Sequence, residues 1–150
     1  MAERRIGYAK DKTDIIKRLV ASEETTGPFD LIADALVFAA ALGLRRNRRV
    51  PIGNAVSEPI RQDVFDRHGY DTMMNLLVLQ SDQRPQVLAD SEETGRATAF
   101  EEYANGGLEI LQDELKGAIN TMETTILLIN SERVKEADSS KGFDLTQLVN

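Results

Sequence analysis

At 150 residues, 41% hydrophobic, 29% charged, 5% aromatic and without Trp, the chain fits one domain long enough to bury an aliphatic, helix-rich core unaided. It contains no Cys, which excludes disulfides, thiolate metal sites, iron–sulfur clusters and cysteine nucleophiles. The formal net charge of -7 divides into +3 over residues 1–61 and -10 over residues 62–150, an imbalance that can present a field to a polyanion or be neutralised internally.

The start, MAERRIGYAKDK, has basic residues but no apolar segment after them, so it does not read as a signal peptide, and a cytoplasmic protein is expected. RRIGYAK, Arg4 to Lys10, alternates weakly and reads as a short strand with Arg4, Ile6, Tyr8 and Lys10 on one face. DKTDIIKRLVAS follows as a short amphipathic helix, with Ile15, Ile16, Leu19 and Val20 on one side and Asp11 or Thr13 available as a cap.

In EETTGPF, Thr26 can cap a helix and Pro28 fits its first turn. From Phe29 to Leu42 that helix is apolar almost all round, with Asp30 and Asp34 near its N-terminus where the dipole favours them, so it belongs at the centre of the core. Gly43 is the expected stop, in the left-handed conformation. The longest apolar run, Ala35 to Leu44, is about half the length of a bilayer crossing. SEPIRQDVFDRHG reads as a helix from Ser57 to Gly69 burying Ile60, Val64 and Phe65, and Tyr70 to Gln80 as another, although its LLVL also fits a strand. SDQRPQVLADSEETG is expected to be a long loop, Pro85 opposing regular structure.

TAFEEYANGGLEILQDELKGA has the most regular periodicity. Phe100, Tyr103, Ala104, Gly107, Leu108, Leu111 and Leu115 fall at three- and four-residue steps. Gly106 and Gly107 each cost about 1 kcal/mol against alanine inside a helix. A compensating close approach is therefore predicted, with Ala39 to Ala41 of the apolar helix meeting Gly107. TMETTILLINSERVK reads as the last helix, and the end of the chain as a loosely held tail. The predicted architecture is mainly α: a bundle of five or six helices over residues 1–134, with a short N-terminal strand resembling a ribbon-helix-helix start, and a tail over 135–150.

Catalytic patterns are mostly removed by inspection. No glycine loop ending in Lys-Ser/Thr is present, and GLRRNRRVPIG has the wrong spacing for one. His68 is the single histidine, which eliminates two-histidine metal motifs. Asp63, Asp66, His68 and Asp71 could in principle hold a hard cation, but a helix stop explains the same DRHGYD letters. Glu114 and Lys116 in DELK imitate half of a nuclease core, yet on a helix positions two apart diverge. Phe100 and Tyr103 lie on the core stripe rather than on a base-stacking face. Neither a catalytic set, a metal site nor a cofactor is expected.

The arginine cluster Arg45, Arg46, Arg48 and Arg49 is the polar feature that calls for a partner. One reading is local: cations after a helix C-terminus are favoured by the dipole, and acids from the later half cover them. The other is contact with an acidic protein surface or with DNA phosphates, whose geometry suits guanidinium forks. Arg4, Arg5, Lys10 and Lys12 form a second basic set, which in a dimeric ribbon-helix-helix would lie in a major groove. The uniformly apolar second helix argues against the usual small dimer of that type, unless the remaining chain packs over it.

TTGPF, ADALVFAAALGLRRNRRVPIG, EPI, RHGYD and above all FEEYANGGLEILQDELKGA closely resemble the small Dnd system-associated, or DNA phosphorothioation-associated, protein family. The resemblance runs from Arg4 to Arg133 and leaves the tail outside. It implies a bacterial setting in which sulfur replaces a non-bridging phosphate oxygen of DNA and marks self against invading DNA. It supplies no catalytic residues to carry over. Sulfur mobilisation needs thiols or clusters and restriction motors need a nucleotide loop, and the chain has neither. The expected role is therefore a non-enzymatic accessory or adaptor in defence by restriction-modification, with larger proteins of the same locus, DNA, or a second copy as partners and no membrane. The alternatives are a ribbon-helix-helix regulator and, third, a small metal-dependent nuclease using DRHGYD or DELK.

Overall fold

The computed structural model describes residues 4–23 and 25–140, with side chains described through Lys135. In chain order it has strand β1 (Arg5–Ile6), helices α1 (Thr13–Leu19) and α2 (Ile32–Arg45), strand β2 (Ile60–Arg61), and helices α3 (Gln62–Arg67), α4 (Tyr70–Asp82), α5 (Glu93–Glu114) and α6 (Thr121–Ser140). The predicted mainly helical architecture with a short N-terminal strand is what forms. β1 pairs antiparallel with β2 of the same chain, Ile6 opposite Ile60 and Arg5 opposite Arg61. The strand is only two residues long, and its faces differ from those predicted: Ile6, Gly7 and Ala9 are buried while Lys10 is exposed.

The core is built around the crossing of α2 and α5. Ala35, Leu36, Ala39 and Ala40 of α2 are sealed from solvent, as are Phe100, Ala104, Leu108 and Leu111 of α5. Every member of the predicted α5 stripe, from Phe100 to Leu115, is buried. A Cβ on Gly107 would collide with the Ala39 carbonyl, so the contact predicted from the paired glycines exists, and it requires a residue with no side chain. Phe65 of α3 meets Phe100 edge-on with ring centroids 5.8 Å apart. Ile15, Ile16 and Leu19 of α1 pack into the same core.

Several boundaries differ from the sequence expectation. α2 starts at Ile32 rather than near Phe29, because the Phe29 strand-like segment hydrogen-bonds to the end of α1 (Phe29 N–H to Leu19 O, 3.0 Å; Ala21 N–H to Phe29 O, 2.7 Å). The Asp34 carboxylate then accepts the Leu31 N–H at 3.0 Å and closes the first turn. α2 continues through Gly43 to Arg45. The residue that turns the chain is Asn47, at φ 54°, and not Gly43. Ser57 to Pro59 stay outside α3, which begins only after β2. Gly69, at φ 73°, separates α3 from α4. The expected long loop around Pro85 holds two 3-10 turns, Pro85–Leu88 and Asp90–Glu92. The last helix runs to Ser140, past the expected start of the tail, and residues 141–150 lie outside the described residues.

Candidate functional site at the arginine clasp

The C-terminal end of α2 and the turn after it carry Arg45, Arg46, Arg48 and Arg49. Gly43 lets this end lie against α5, since a Cβ there would strike the Tyr103 carbonyl. After the Asn47 turn, the Arg48 N–H returns to the Gly43 carbonyl at 2.7 Å. The following segment is then strapped to α5: Val50 N–H donates to Glu102 O at 3.1 Å, and the buried Asn105 amide donates to the carbonyls of Val50 and Pro51. Gly106 makes room for the Arg48 carbonyl. The two glycines of α5 thus serve two different neighbours.

Three of the four arginines engage carboxylates of the acidic half. Arg45 Nε lies 2.9 Å from Glu132 Oε2, and its terminal nitrogen donates to the Glu132 carbonyl. Arg46 Nε lies 2.8 Å from Glu132 Oε1 and reaches Glu114 at 3.4 Å. Arg49 meets Glu102 at 2.7 Å and sits over the Tyr103 ring, 5.5 Å from its centroid. Arg48 is exposed and makes no ion pair among the described residues. One Glu132 carboxylate therefore bridges two guanidiniums, a charge-assisted arrangement that ties α6 to the end of α2. Burial acts to raise the Glu132 carboxyl, but the Arg46 and Arg45 guanidiniums outweigh it and hold the group below its ordinary value.

The N-terminal basic set is spread out. Arg4 Nε lies 3.2 Å from Glu93 Oε1, and Arg4 also donates to Thr94 Oγ1 at 3.0 Å. Arg5 and Lys10 are exposed. Lys12 departs from the expected surface role: its side chain is 4% exposed, with Nζ 3.0 Å from Asp11 Oδ1. Arg4, Arg49 and Arg46 meet Glu93, Glu102 and Glu114, which are strung along α5, a helix about 33 Å long at 1.5 Å per residue. The basic first part and the acidic remainder are in contact along this line, as internal neutralisation requires.

Asp66 and Asp71 of DRHGYD line one small pocket with Arg4 and Glu93, and neither Glu114 nor Lys116 of DELK joins them. Asp63 meets Arg61 at 2.8 Å, Asp66 accepts from Gln62, and His68 lies beside Tyr70. Among the described residues no group of three or more His, Asp or Glu is placed to hold a metal ion. Glu114 ends α5 facing Arg46, and Lys116 lies beyond the helix.

A feature missed by residue-by-residue reading lies next to the clasp. An apolar groove of about 750 Å³ runs between α2, α4 and α6, lined by Phe38, Met73, Leu76, Leu77, Leu128 and Ile129, with Arg45 and Glu132 also in its lining. Its one signal in the sequence is the run Ile126 to Ile129, since four consecutive apolar residues on a helix cannot all face inward.

No helix among the described residues is long and apolar enough to cross a membrane. The family described as DNA sulphur modification system-associated protein 4 matches residues 5–148, a span that takes in most of the tail beyond Arg133. No curated protein matches the chain, and no solved structure does.

Proposed function

The chain belongs to the DNA sulphur modification system-associated protein 4 family, and on that premise we propose that it is a non-enzymatic, cytoplasmic accessory protein of phosphorothioation-linked defence, acting as an adaptor that docks onto a larger protein of the same locus. The observation that carries this reading is the family match over residues 5–148, whose description is of a protein that accompanies a DNA sulphur modification system. The absence of Cys and of a phosphate-binding glycine loop from the sequence supports an accessory part rather than sulfur transfer or nucleotide-driven restriction. Contact with the DNA backbone is a second reading, favoured by Arg5, Lys10 and Arg48, which are exposed and outside any ion pair among the described residues.

Affinity capture from a host carrying the complete defence locus tests the adaptor reading. A larger protein encoded in that locus should be recovered at a fixed stoichiometry, and should be lost when the locus is deleted. Recovery of the protein without any other product of the locus would sink the adaptor reading.

A further inference from the structure

Glu132 sits where an anionic ligand of the arginine cluster would sit. Its Oε2 lies 2.9 Å from Arg45 Nε and its Oε1 2.8 Å from Arg46 Nε, so each oxygen of one carboxylate serves a different guanidinium. The two non-bridging oxygens of a phosphodiester reproduce that pattern, and guanidinium forks suit phosphate geometry. Arg45 and Arg46 are not sealed beneath the carboxylate: their side chains are 36% and 26% exposed, against 13% for Glu132. Arg48 is exposed and outside any ion pair among the described residues. A ligand approaching the cluster therefore meets the protein's own carboxylate already in place.

The helix that carries Glu132 is held unequally along its length. At its start, Arg18 donates to the Leu115 and Ala118 carbonyls at 3.1 and 3.2 Å and to Thr121 Oγ1 at 3.3 Å. Beyond that point, among the described residues, α6 buries only Thr125 and Leu128, and Glu132 lies a turn past the second of these. The carboxylate is thus the main tie between this part of α6 and the end of α2, and partly exposed ion pairs are readily exchanged. We propose that the clasp is an autoinhibitory contact: Glu132 occupies a site for DNA phosphates made by Arg45 and Arg46, with Arg48 beside them in the chain, and movement of α6 off α2 opens it. Phosphates and Glu132 compete for the same guanidiniums, so the closed protein binds DNA weakly and anything that draws α6 away strengthens binding. The class of ligand rests on the DNA-backbone reading above; the competition does not.

Fluorescence anisotropy on a short duplex at several ionic strengths, with circular dichroism to follow the fold, tests it in the full chain. Glu132→Gln should bind at least about fivefold tighter than wild type, with a salt slope steeper by about two, one for each guanidinium released. Glu123→Gln, the same charge change near the start of α6, should stay within about twofold of wild type. Glu132→Asp, which keeps the charge but withdraws the carboxylate, should show a smaller gain of the same kind. Replacing Arg45 and Arg46 by Gln should cost the Glu132→Gln protein at least about fivefold more than it costs the wild type. Glu132→Gln that binds no tighter than Glu123→Gln, or a gain that survives loss of both arginines, would overturn the proposal whatever the wild type does. Poly-glutamate that displaces the duplex from Glu132→Gln at equal charge concentration would also overturn it, assigning the cluster to an acidic protein surface. A wild type that fails to bind while Glu132→Gln binds would sink the reading built on the exposed cations and support this one.

Discussion

Gly107 shows how one position carries the fold. Its missing Cβ is what lets the Ala39 carbonyl lie against α5, so Gly107→Ala gains helix propensity but creates an overlap with backbone that cannot rotate away. It should lower stability by about 2–4 kcal/mol in urea unfolding, whereas Gly53→Ala, with open space around it, should be near neutral. Tyr70 offers a second check. Its hydroxyl donates to Asp34 at 2.5 Å. That bond, then burial and the Asp34 charge, push the phenol up to about 12. Because the folded value is raised, the stabilisation is complete below the ordinary tyrosine value near 10 and is lost as pH rises through about 12. Absorbance titration of the tyrosines should show Tyr70 ionising late, near pH 12, and Asp34→Asn should return it toward the ordinary range, while Tyr8, raised by burial and by Glu58, is unaffected by that change. The Gly107 contact was readable because a costly glycine on a buried stripe demands a reason. The Tyr70–Asp34 bond was not, since the two are 36 positions apart and nothing local pairs them.

At the scale of elements, α6 depends on the clasp more than on packing. Among its described residues, two buried side chains and a carboxylate shared by Arg45 and Arg46 hold it. Glu132→Gln should therefore raise amide exchange across Thr121–Lys135 while leaving α5 protected, as measured by hydrogen–deuterium exchange. The Glu132 value is depressed in the fold, so its contribution is present above the ordinary glutamate value, about 4.3, and is lost as pH falls below it through the depressed folded value. Protection of α6 in the wild type should fall over that acidic window, and the Gln variant should lack this step. Replacing Arg45, Arg46, Arg48 and Arg49 together by Ser should loosen α6 first and lower the melting temperature, a larger structural effect than solvent-facing arginines would have. Periodicity located α2, α4, α5 and α6. It misplaced the ends of α2 because its start is set by a bridge to α1 and its stop by Asn47, both outside the repeating pattern.

For the whole molecule, charge placement decides how it meets a polyanion. Arg4, Arg46 and Arg49 are engaged with α5 carboxylates, Lys12 is buried, and the remainder carries a net negative charge. Of the two basic sets, Arg5, Lys10 and Arg48 are the cations left exposed and outside ion pairs among the described residues, so gel shifts on ordinary and phosphorothioated duplex should show weak binding at low salt, with a log–log salt slope of about -2 to -3. A slope several times steeper would show the clasp opening onto DNA. The sequence by itself determined the helical class, the buried α5 stripe, the glycine crossing and the family, because these rest on periodicity, composition and long contiguous motifs. Only the tertiary structure decided that three of the four clustered arginines face the protein's own carboxylates and that the open surface is an apolar groove. Ion pairs spanning 53 to 87 positions and a cleft shared by three helices are set by how the helices pack, and no local pattern encodes them.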